Sequence, residues 1–187
     1  MDDKKELIRK AAVRVIAANG FHEATTRMIA QAAGTSIGTI YNYFSTKEEI
    51  LAYIVEVERA RRVGFLRDIA QTDVSPEQKL RRFLEMHFSQ AAEDPETVRM
   101  VMREFHFSDR EELEPLRTYF REIPELLGSI VGAGLDEETA RLRGVAMFGA
   151  VQSYTLELLM ASDGKELSSG HAIDTLVALF FPRTGAD

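Results

Sequence analysis

The segment TTRMIAQAAGTSIGTIYNYFSTKEEIL, residues 25–51, decides how this chain folds. Thr25 or Thr26 can cap a short helix carrying Ile29, Ala32 and Ala33, since a hydroxyl there accepts from an otherwise orphaned backbone N–H. Gly34 permits the left-handed residue that ends it. Ser36 can cap a second helix running to about Phe44. After a two-residue break Ser45 or Thr46 caps a third, and both Ser45/Glu48 and Thr46/Glu49 have capping-box spacing. Two short helices about a Gly-containing turn, completed by a helix before them, make a helix-turn-helix layout. In it the second short helix can enter a major groove while its partner braces it against the backbone.

The side chains of that second helix suit the task. Ile40 and Phe44, four apart, can anchor its inner side, while Thr39, Tyr41, Asn42 and Tyr43 offer hydroxyls and an amide to phosphates or base edges. Lys47 falls in the first turn of the next helix, where a cation opposes the dipole. Either a DNA phosphate offsets that cost, or the lysine is simply solvated beside Glu48 and Glu49.

Residues 4 to about 55 resemble the DNA-binding head of the TetR family of bacterial repressors. The match is densest at Thr25-Thr26, Ile29-Ala30, Ala33-Gly34, Gly38-Thr39, Ile40-Tyr41, Phe44 and Lys47-Glu48. The resemblance implies that Thr26, Thr39, Tyr41, Tyr43 and Lys47 hold phosphates and that Arg27, Ile37, Gly38 and Asn42 lie near bases. The chain departs from a strongly basic reader because its recognition helix has no Lys or Arg, which leaves guanine to Arg27 or to water. Periodicity alone would put Ile37 in the core, whereas the resemblance turns it towards a thymine methyl.

Outside this segment apolar residues recur at helical spacing and no stretch alternates as a strand does, so the expected class is all-α. Leu7, Ile8, Ala11, Ala12, Val15 and Ile16 form a stripe on a first helix, with Asp2 and Asp3 at its favourable end and Asn19-Gly20 as its stop. The helix begun near Lys47 should run long, towards Ile69. Ser75-Pro76-Glu77-Gln78 restarts a helix, and others are expected at about 95–107, 111–132, 136–161 and 169–181. Pro115 and Pro124 should bend or split the third of these segments. The architecture expected is a three-helix DNA-binding head, residues 1–50, followed by a helical ligand-binding and dimerisation domain, residues 51–187.

Charge follows the same division. Residues 1–50 carry seven Lys/Arg against six Asp/Glu, and residues 51–187 carry sixteen against twenty-four, so the first part is the better one to face phosphate. A net charge of −7 argues against a protein that coats nucleic acid over its whole surface. Absent cysteine excludes disulfides and thiolate chemistry. No leader or membrane-spanning run is expected, and with them a cytoplasmic location and no membrane partner.

Residues 141–160 combine Gly144, Ala146, Gly149 and Ala150 with large apolar residues and need cover on most sides; 169–181 is similar. In the family such a pair meets its symmetry mate as a four-helix bundle, and burial within one subunit explains the pattern equally well. Phe83, Met86, His87, Met102, Phe105, Tyr119 and Phe148 are candidates for an apolar effector cavity, although ordinary core accounts for each of them. The function expected is a homodimeric repressor on a palindromic double-stranded DNA operator, released by a small lipophilic effector, with no cofactor and no enzymatic activity. The alternatives are a metal-responsive regulator using His87, Glu104, His106 and Asp109, although the last three are explained more simply as exposed polar residues at a helix end, or a helical protein-interaction module. No nucleophile or phosphate-loop motif supports an enzyme.

Overall fold

The computed structural model describes residues 3–107, 114–160 and 169–182, apart from the side chains of residues 105–107 and 114–116. Among the described residues every regular element is an α-helix: α1 Asp3–Asn19, α2 Thr26–Ala32, α3 Ile37–Tyr41, α4 Lys47–Ala70, α5 Pro76–Glu93, α6 Pro95–Phe107, α7 Glu114–Val131, α8 Glu137–Met160 and α9 Ser169–Phe180. They assemble as two compact units, Met1–Arg59 with Asp94–Tyr119, and Ala60–Glu93 with Phe120–Asp187. Packing thus draws α6 into the same unit as the helix-turn-helix, while α4 and α7 each run from the first unit into the second.

In the first unit α1 packs on α2 and α6, and α2 on α3. Ile8, Ala11, Ala12, Val15 and Ile16 are buried as their spacing requires, but Leu7 lies off the stripe at 39% exposure. Asn19 closes α1 by donating its Nδ2 to the Val15 carbonyl at 2.8 Å, and Gly20 follows in the left-handed region at φ +84°. Thr25 is the cap of α2: its Oγ1 accepts from the Met28 N–H at 3.2 Å. Ser36 does the same for α3, accepting from the Thr39 N–H at 3.0 Å.

α3 is shorter than its sequence suggests. It ends at Tyr41, and Asn42 and Tyr43 form a turn in which the N–H groups of Tyr43 and Phe44 both return to the Ile40 carbonyl at 3.0 Å. That keeps Phe44 beneath Ile40 while freeing the chain to begin α4, where the Thr46 hydroxyl accepts from Glu49 N–H at 3.1 Å and the Glu49 carboxylate accepts from Ser45 N–H at 2.6 Å.

In the second unit α5, α8 and α9 pack on one another. Ser75 and Gln78 cap α5 reciprocally, each side chain bonding the other's backbone N–H at 3.2 Å. Pro124 does not split its helix; α7 runs through it to Val131. α7 and α8 lie close because glycines meet there. A Cβ placed on Gly144 of α8 would stand 2.6 Å from the backbone nitrogen of Gly128 and collide with the Pro124 carbonyl of α7. The small residues of α8 therefore divide in use: Gly144 packs inside the chain, whereas Ala146 and Gly149 face out.

Candidate nucleic-acid interface

The helix-turn-helix has a closed inner side and an open outer one. Ile40 and Phe44 are buried, the Phe44 ring lies 5.5 Å from that of Tyr53, and the Lys5 ammonium stands over both rings at 5.7 and 5.6 Å. Of the nine residues expected at DNA, none is buried: Arg27, Gly38, Tyr41 and Asn42 are exposed, and Thr26, Ile37, Thr39, Tyr43 and Lys47 are half-buried. Tyr41, 54% exposed, brings its hydroxyl to 3.4 Å from that of Thr26, so the first residue of α2 and the last of α3 share one surface. The Thr39 hydroxyl is 2.9 Å from that of Ser36. A Cβ on Gly38 would meet only the Ser36 hydroxyl, at 3.6 Å; internal packing therefore does not demand glycine there.

Lys47 corrects the charge argument. Its ammonium donates to the Phe21 carbonyl at 2.7 Å and the His22 carbonyl at 3.1 Å, and lies 4.5 Å from the centre of the Phe21 ring. Two peptide carbonyls and a ring face offset its unfavourable place at the start of α4, so no phosphate is needed to explain it. One of its three hydrogens is left for another acceptor.

The seven residues expected around an effector are split between the units. Phe83 and His87 are buried and Met86 half-buried on α5, and Phe148 is half-buried with its ring 5.3 Å from Phe120, all in the second unit. Met102 and Tyr119 are buried in the first, and the Phe105 side chain lies outside the described residues. His87 is the centre of a buried polar chain. Its Nδ1 accepts from Arg62 Nε at 3.4 Å, so Nε2 carries the proton and donates to Thr155 Oγ1 at 2.8 Å; Thr155 passes its own proton to the Val151 carbonyl at 2.7 Å. Burial, and secondarily the Arg62 charge, pushes the imidazole pKa down to about 3. With both ring nitrogens engaged, His87 has no lone pair to give a metal.

Glu104, expected as an exposed residue at a helix end, is instead buried and accepts from the Phe21 N–H at 3.3 Å and from Arg103. The His106 side chain and Asp109, its companions in the metal alternative, lie outside the described residues. Among the described residues no three His, Asp or Glu side chains gather as a metal site, and no helix is long and apolar enough to cross a membrane.

Residues 8–54 match the family model described as bacterial regulatory proteins, tetR family. Over those residues the chain is similar to the TetR family. Over 125 residues, 67% of this chain, it is 29% identical to the fatty acid metabolism regulator protein of Bacillus subtilis (strain 168); the match spans 64% of that relative, a little under two thirds of its length. The solved structure of the fatty acid degradation regulator FadR from Bacillus halodurans superposes with a TM-score of 0.79 at 27% identity, covering 100% of this chain and 99% of that one. The transcriptional regulator FadR from Bacillus subtilis in complex with stearoyl-CoA gives 0.78 at 26% identity, over 92% and 97% of the two chains.

Sequence patterns missed two polar arrangements. Arg62 and Thr155 were not anticipated as partners of His87, because they lie 25 and 68 residues from it in sequence. Phe21, held by Glu104 at its N–H and by Lys47 at its C=O, left no trace, because any residue other than proline supplies the same two backbone groups.

Proposed function

We propose that the protein is a cytoplasmic, effector-responsive transcriptional repressor without enzymatic activity. Residues 1–50 bind double-stranded operator DNA, and residues 51–187 bind the effector and form the homodimer. The observation that carries this is the outward display of Tyr41, on one surface with Thr26, and of the exposed Asn42 beside it in the chain, over the buried anchors Ile40 and Phe44. Thr26, Thr39, Tyr41, Tyr43 and Lys47 hold phosphates, and Arg27, Ile37, Gly38 and Asn42 face base edges.

Dimerisation through residues 141–160 and 169–181 is supported by a stripe along α8. Leu142, Ala146, Gly149, Ser153, Leu156 and Met160 are all exposed and follow one another at alternating steps of four and three, the spacing of a helix seam, with Leu179 of α9 also exposed. A two-fold axis then presents paired α3 helices about 34–36 Å apart to a palindromic site. The likeness to a FadR solved with stearoyl-CoA favours a long-chain acyl thioester as effector. Effector shifts the population towards a head spacing that the operator does not fit, with a coupling of ~1–3 kcal/mol.

Tyr41→Ala and Lys47→Ala test the assignment in a gel-shift titration. Operator affinity should fall about tenfold for each, one charge-assisted or neutral phosphate contact apiece, with dimerisation and effector binding unchanged. Undiminished affinity in both variants removes the assignment. Steep weakening with salt separates DNA binding from an apolar protein contact.

A further inference from the structure

A cleft of about 440 Å³ opens in the first unit between α1 and α6, and none of the residues assigned above to DNA lies in it. Its lining includes three arginines, Arg14, Arg99 and Arg103, and one carboxylate, Glu96, over an apolar floor of Ala18 and Met100. The volume is in the range that holds small molecules. Guanidinium groups lining a concave surface suit the multi-acceptor geometry of phosphate better than a neutral ligand.

Two effects oppose an anion here, and both are met. The last carbonyls of α1 carry the negative end of its dipole into the cleft wall. Arg103 covers them, donating to the Ala17 carbonyl at 3.0 Å and to that of Ile16. Glu104, 3.1 Å from Arg103, takes up the charge of that arginine from its buried position. Arg14, which donates to the Ala32 carbonyl at 3.2 Å, and Arg99 are exposed, and the three arginines outnumber Glu96 and Glu104 on a chain whose net charge is −7.

We propose that this cleft binds a phosphate-bearing anion of nucleotide size, its phosphate held by Arg14 and Arg99 and its ring or chain lying on Met100 and Ala18. Because Arg103 links the cleft to the end of α1, occupancy bears directly on the unit that carries the helix-turn-helix.

Calorimetric titration of the full-length protein tests this with ADP, coenzyme A and inorganic phosphate as probes. ADP and coenzyme A should bind, more weakly as salt rises, and inorganic phosphate should compete with them. Arg14→Gln and Arg99→Gln, made separately so that a folding defect in one leaves the other, should each weaken binding about tenfold, and Glu96→Gln should tighten it about threefold. Operator release by stearoyl-CoA, measured on the same variants, distinguishes two sources of the phosphate. If release fails along with coenzyme A binding, the phosphate belongs to the effector's headgroup; if release survives, it belongs to a separate ligand. Absence of binding by every probe, or binding indifferent to all three substitutions, overturns the proposal. So does a loss of operator affinity in the arginine variants with no small anion bound, which would give the cleft to the DNA backbone. The repressor assignment stands or falls separately, on Tyr41→Ala.

Discussion

His87 should make the protein sensitive to mild acid in a way one substitution removes. In the folded chain its imidazole is wholly buried and its pKa lies at about 3, against 6.5 for the unperturbed group. An unfolded chain binds a proton at this residue below about pH 6.5, whereas the folded chain does not until near the lower value. The unfolded state therefore holds the extra proton throughout that window. Stability is at its full value above about 6.5 and falls with falling pH, by about 1.4 kcal/mol for each pH unit. At about pH 4.5, two units below the unperturbed value, the loss from this residue is about 2.7 kcal/mol. His87→Gln keeps an acceptor for Arg62 and a donor for Thr155 but does not titrate. Urea unfolding of wild type and variant, at one fixed protomer concentration, isolates the effect. Whatever gap separates the two near neutrality should shift in the variant's favour by about 2.7 kcal/mol by pH 4.5. Parallel stability curves across that range would refute the buried, neutral histidine.

Gly144→Ala should be among the most damaging single-methyl changes in the chain. Its Cβ meets backbone of α7 at Pro124 and Gly128 rather than a movable side chain, so a loss of about 3 kcal/mol or more is expected and a thermal melt will report it. Leu156→Glu, on the exposed stripe of α8, should leave the helical circular-dichroism signal intact and shift sedimentation from dimer to monomer. An unchanged dimer would place the interface elsewhere.

Much of this architecture was legible because local chemistry and burial agree. Thr25, Ser36 and Ser75 cap the helices their positions announce, Gly20 and Gly34 adopt the positive φ expected of them, and Ile40 and Phe44 are buried four residues apart. What escaped depends on partners distant in sequence. The end of α3 moved from about Phe44 to Tyr41 because a turn satisfied the same inner contacts with fewer helical residues. Pro124 sits within a continuous helix because packing against α8 outweighs one missing backbone donor. The partners of Lys47 and Glu104 escaped for a shared reason: each is bonded to the turn after α1, 83 residues away in the case of Glu104. Composition shows charge, but not which carbonyl or amide will neutralise it.

Phe21 has a mechanical corollary. Its N–H and its C=O belong to successive planar peptide units, hinged to each other only at the two dihedrals of that residue. The first unit is tethered to Glu104 of α6 and the second to Lys47 at the start of α4. A shift of α6 that leaves those two dihedrals unchanged therefore carries with it the oxygen that seats the Lys47 ammonium, so a single residue's hinge couples the sixth helix to the first turn of the fourth.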